Sequence, residues 1–183
     1  MLEFDAELWK QRAWSRLKRV SKRDSREKRD IAERQWHRDV VHIDKMKTVV
    51  GWCTSKALEV RFGKRPGAMY DISSKTILVV GRAAPEKQLH YLLHECGHHL
   101  IGNKEHHERF GLGYPFADDP VVNTTFHHRV ACLEEEMEAW TRGWRLSKRL
   151  RLKLDRDNFD KVRIECLRSY IKWANGRALL KST

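Results

Sequence analysis

His94-Glu95-Cys96-Gly97-His98 is the stretch on which the reading of this chain turns. It fits the pattern H-E-x-x-H. On a helix, positions 94 and 98 lie one turn apart on the same face, so both imidazoles can reach one metal ion. Glu95 lies about 100° further round, close enough to hold a water at that ion. Tyr91, Leu92 and Leu93 before the pattern, and Leu100 and Ile101 after it, predict a buried helix. Pro85 suits its first position and Glu86 its first turn, where the dipole favours an anion. Gly102 suits the position just past its end. Leu89, Leu93, Cys96 and Leu100 make one apolar stripe at helical spacing. The histidines fall on roughly the opposite side. The helix is therefore expected to pack with one face and to offer His94 and His98 to a cleft with the other. Gly97 would admit another backbone at close range. The same letters also fit a core helix with two satisfied histidines and a solvated glutamate. The helix context favours the metal site, and a third ligand would favour it further.

Catalytic zinc takes three protein ligands and keeps one position open. Glu134-Glu135-Glu136-Met137-Glu138-Ala139-Trp140 is the place to look for the third. Cys132, Glu136, Ala139 and Gly143 share one narrow helical face, with small residues on either side of a carboxylate. A helix crossing close to Gly97 needs such a face. Glu136 is the first candidate and Glu135, at the edge of the face, the second. Part of this run also reads as an acidic helix start favoured by the dipole.

The rest of the chain frames these two helices. At 183 residues and 40% hydrophobic content it is long enough for one globular domain with a real core. No apolar run approaches a membrane span, and MLEFDAELWK lacks secretory-signal features, so a soluble, cytoplasmic protein is expected. Cys53, Cys96, Cys132 and Cys166 form no C-x-x-C pair and read as reduced thiols. The net charge of +12 is uneven. Residues 1–50 carry 14 basic and 9 acidic side chains, 51–140 carry 10 and 12, and 141–183 carry 13 and 4. The basic excess in the flanks reads either as solubilising helix surface or as a nucleic-acid footprint.

In chain order, Trp9, Ala13, Leu17 and Val20 predict a first helix over 2–20. The charged run 21–30 is either an exposed helix or a link. Ile31 to Met46 predicts a second helix, and Val49 to Phe62 a third apolar stretch in a helical N-terminal third. GKRPGA at 63–68 is a break. Lys75 to Val80 reads as a strand, with 69–72 able to pair with it in a hairpin. Residues 103–129 read as a long polar, His-rich connection. Helical pattern returns from Val130 to about Leu154, and a last amphipathic helix spans 158–180. The expected fold is α+β and mainly helical. It has a basic helical extension over 1–48, a core over 49–156 with a small sheet packed on the H-E-x-x-H helix, and a C-terminal helix over 157–183.

Strand, H-E-x-x-H helix, then a helix carrying E-x-x-A is the arrangement of gluzincin-type zinc metallopeptidases. Glu136-Met137-Glu138-Ala139-Trp140 resembles their E-x-x-A-D or E-x-x-A-N element. The run from Tyr70 to Gly102 is most similar to the small ImmA/IrrE-like metallopeptidases of bacteria, mobile elements and phages. The resemblance covers about residues 65–145. It implies a zincin-like core and a cytoplasmic hydrolase, in a host cytoplasm if the gene is a phage's. Two features depart from it. Trp140 stands where an Asp or Asn often orients a zinc-bound histidine, and the connection from His98 to Glu136 is long.

The chemistry expected is peptide hydrolysis on a protein substrate. Zn2+ would be held by His94, His98 and Glu136 (or Glu135), with Glu95 as general base. Tyr114, His127 and His128 are candidates to stabilise the oxyanion. The strand at 75–80 is expected to leave an edge on which a substrate peptide could add. Ile101 and Lys104 stand where the longer metzincin motif needs Gly and His, which excludes that class. SprT-like proteases, which act on DNA-bound proteins, use a third histidine; His106, His107, His127 or His128 could supply one. His99 points elsewhere on the helix and reads as structural. The competing reading is a DNA-associated protein whose zinc site is structural or vestigial, with the basic segment 142–156 on phosphates. No membrane partner is expected.

Overall fold

A computed structural model describes residues 2–19, 25–63, 67–111, 113, 118–119, 121–123 and 125–175. The protein is mainly helical with one small sheet, an α+β composition. The chain divides into two compact units, Met1–Leu92 and Leu93–Thr183.

The first unit opens with a short strand β1 (Leu2–Glu3) and helix α1 (Ala6–Lys18), whose first turn is capped by the Asp5 carboxylate. A single long helix α2 (Arg26–Ser55) follows, capped by Ser25. Residues 31–46 and the start of the third apolar stretch are thus one element. That stretch does not stay helical to Phe62. Helix α2 closes with Ala57 in the left-handed region at φ 55° and with Leu58 N–H bonded to Cys53 O at 3.0 Å. The chain then extends into β2 (Glu59–Gly63), which buries Val60 and Phe62 and turns Glu59 outward. Alternating burial of this kind is the strand period.

Strands β3 (Met69–Asp71) and β4 (Thr76–Val80) form the expected hairpin, with Tyr70 opposite Ile77. The order of the sheet is β1-β2-β4-β3. Strand β4 is an inner strand: it pairs with β2 in parallel along Thr76–Val80 and with β3 antiparallel at Thr76–Leu78, so the edge expected to receive a peptide is covered over those three residues. Phe4, Trp9 and Phe62 pack their rings at 4.9 to 6.0 Å, joining α1 to the sheet. Ile43, Met46, Val49, Cys53, Ile77 and Leu89 fill the rest of this core.

Helix α3 (Pro85–Arg109) begins in the first unit and ends in the second. Pro85 and Glu86 open it as expected, and Gln88 Nε2 donates to Val80 O at 3.0 Å. At Gly102, with φ 75° and ψ 155°, the first helical segment ends as expected, and a second segment runs on across a kink to Arg109. The connection expected over 103–129 is shorter for that reason, and also because helix α4 (Phe126–Arg149) starts earlier, capped by Thr125. Helix α5 (Arg156–Ala174) is capped by Asp155 and packs on α4 through Trp140, Trp144 and Phe159. The four cysteines are free thiols. Among the described residues no helix is long and apolar enough to cross a membrane.

Candidate metal centre

The second unit brings α3 and α4 together through glycines. A Cβ on Gly97 would stand 1.9 Å from the carbonyl oxygen of Ala139, and one on Gly143 would stand 2.5 Å from that of Leu93. Two backbones meet at each point, so no larger residue fits without moving a helix. Trp140 is fully buried beside this crossing, and its indole stacks on the imidazole of His94 at 4.4 Å and 18°.

The crossing sets a carboxylate against both motif histidines. Glu136 Oε2 lies 3.1 Å from His94 Nε2, and Glu136 Oε1 lies 3.2 Å from His98 Nε2. One ligand atom from each of the three residues falls within 4.8 Å of the others, and this is the metal-competent group found among the described residues. The histidine face is not an open cleft: His94 and His98 are 7% and 8% exposed, with α4 against them.

Glu135 takes a different position. Its Oε1 accepts from His98 Nδ1 at 3.2 Å and lies 3.0 Å from His106 Nδ1. His106 Nε2 in turn donates to His98 O at 3.3 Å. That carbonyl stands next to the Gly102 interruption, as does Leu100 O, which accepts from Arg142 Nη1 at 2.6 Å. Side chains thus satisfy carbonyls that the broken helical ladder leaves over. Arg142 also holds Glu105 at 2.6 Å and Glu138 at 2.8 Å, tying the last turns of α3 to α4.

Charge explains why this cluster is unusual for a core. Glu95, Glu135 and Glu136 are 4%, 0% and 2% exposed. Buried carboxylates need compensating positive charge. Burial disfavours a charged His98, but hydrogen bonds to Glu135 and Glu136, with the charges of Glu136 and Glu95, outweigh it and raise its pKa to about 10. Burial likewise raises Glu136, and its hydrogen bonds with His94 and His98 outweigh that and hold it well below the usual carboxylate range. Glu135, desolvated but bonded to His106 and His98, is also lowered. Burial, followed by the charges of Glu135 and Glu136, pushes the Cys132 thiol up to about 12. A divalent cation suits the space between these imidazoles and the Glu136 carboxylate. Two Nε2 atoms and one carboxylate oxygen are the donor set that zinc uses when a fourth position stays open.

The remaining candidates are spread out. His127 is exposed on the first turn of α4. His128 is buried beside Cys132, 3.5 Å from Nε2 to Sγ, and edge-on to Trp173. His99 is half-buried. Tyr114 and the side chain of His107 lie outside the described residues. His106, weighed in the sequence as a third ligand, faces Glu135 instead. The sequence reading had no signal for that contact, because it depends on a second helical segment following the break at Gly102. No family model, no curated protein and no solved structure matches the chain.

Proposed function

We propose that the protein is a zinc-dependent peptidase of the gluzincin type, with a zincin-like core resembling the ImmA/IrrE-like enzymes. The observation that carries this reading is the convergence of His94, His98 and Glu136, one ligand atom of each lying within 4.8 Å of the others. These three residues would hold the ion. When bound, zinc supplies a Lewis acid for the scissile carbonyl and makes water nucleophilic near neutral pH. Glu95, one position after the first ligand and buried in the same cluster, accepts the proton of the attacking water and passes it to the leaving amine nitrogen as the C–N bond breaks. Glu135 orients His98 through Nδ1, and Trp140 fixes the ring plane of His94. These two contacts do the orienting that Asp or Asn provides at position 140 in the family resembled.

A structural zinc site is usually closed by a fourth protein ligand and has no use for Glu95, so the donor set favours catalysis. The test is zinc-dependent cleavage of an unfolded protein substrate by wild type and Glu95→Gln. The variant should keep its zinc and lose activity by a factor of about 10² to 10⁴. Full activity in Glu95→Gln would overturn the mechanism.

A further inference from the structure

The C-terminal end of α4 and the turn that follows it form a corner of one charge. From Ala139 to Leu154 the sequence contains no acidic residue, and it carries six basic ones. Arg142 is committed to Glu105 and Glu138. The other five, Arg145, Lys148, Arg149, Arg151 and Lys153, are all exposed. Arg156, at the start of α5, is paired with Asp160 and is not counted with them; its Cζ lies 4.7 Å and Lys148 Nζ 5.4 Å from the centre of the same Trp144 ring. Packing of Trp144 and Trp140 on Phe159 fixes the angle between the two helices, so the corner is part of the folded unit. Leu146 and Leu152 are buried, and Leu150 and Leu154 are half-buried.

We infer that this corner binds the phosphate backbone of a nucleic-acid duplex. Five outward cations at the end of one helix match a regular array of phosphates. Two alternatives fit the surface less well. A membrane-surface helix needs an exposed apolar face beside its basic one, and no large hydrophobic residue from Thr141 to Arg156 is exposed. Single strands bind through aromatic platforms, and the one aromatic ring here, Trp144, is half-buried under Lys148, Arg156 and Phe159. The backbone of the corner adds a handle for testing. Leu152 N–H bonds to Ser147 O and Arg151 N–H to Lys148 O, both at 3.0 Å, with Arg151 at φ 56°. This is the helix-ending motif whose left-handed position favours glycine. Ala57 ends α2 in the same way, so the conformation alone assigns no function; at Arg151 it presents a charge.

The test uses the full chain and labelled duplexes of about 20 base pairs, DNA and RNA of one arbitrary sequence, titrated between about 50 and about 200 mM salt. Wild type should bind with log affinity falling by about 3 to 4 per decade of salt, as about four neutralised phosphates require. Arg151→Gly should melt no lower than wild type, yet bind more weakly and lose about one unit of that slope. Arg145→Gln/Arg149→Gln/Arg151→Gly should lose affinity about tenfold or more. Preference for one duplex identifies the partner. The proposal fails if wild type shows no salt-sensitive duplex binding, if Arg151→Gly leaves affinity and slope unchanged, or if single strands or phosphatidylglycerol vesicles bind better than either duplex. None of these readouts depends on the metal centre.

Discussion

Glu135 and Glu136 are neighbours in the sequence and address different atoms of His98, Nδ1 and Nε2 respectively. Under the proposed function this separates their effects. Glu136→Ala should abolish stoichiometric zinc binding, because it removes a donor. Glu135→Gln should keep one zinc per chain but weaken its affinity by about 10- to 100-fold, as loss of an orienting carboxylate does. Competition with a chromogenic chelator distinguishes the two; equal loss in both variants would make Glu135 a ligand. Helical phase, readable in the sequence, placed Glu136 on the face of Cys132, Ala139 and Gly143, and these four residues are buried. The part played by Glu135 was not readable, since it depends on a side-chain rotamer and on His106, eight residues beyond His98 and past a kink.

Elements were legible where periodicity was strong and hidden where one element ran into the next. Helices α3 and α4 announced a close crossing through Gly97, Ala139 and Gly143, and the backbones do meet there. Gly97→Ala should therefore cost about 1 to 3 kcal/mol and push α4 away, which chemical denaturation and zinc affinity would both register. Strand β2 was hidden because α2 ends without glycine or proline. Ala57 sits at φ 55°, where glycine would have marked the boundary. Ala57→Gly relieves that conformation and should raise stability by up to about 1 kcal/mol, measurable as a higher denaturation midpoint. The last turns of α3 were hidden by composition. Glu105, His106 and Arg109 read as a polar loop, but Arg142, Glu138 and Glu135 on α4 hold them.

On the scale of the whole chain, charge and metal act on different properties. The acidic excess of residues 51–140 includes the buried carboxylates Glu95, Glu135 and Glu136, and the basic residues described over 141–175 are largely exposed. Zinc at about 100 times its dissociation constant should stabilise the folded protein by about 2.7 kcal/mol, and Glu136→Ala should show no such rise in melting temperature. The sheet of the first unit has a further consequence for behaviour in concentrated solution. Its two inner strands are five residues long, and its outer strands β1 and β3 are only two and three. Among the described residues, a neighbouring molecule seeking to extend the sheet meets outer strands of two and three residues, a short template for self-propagating β association.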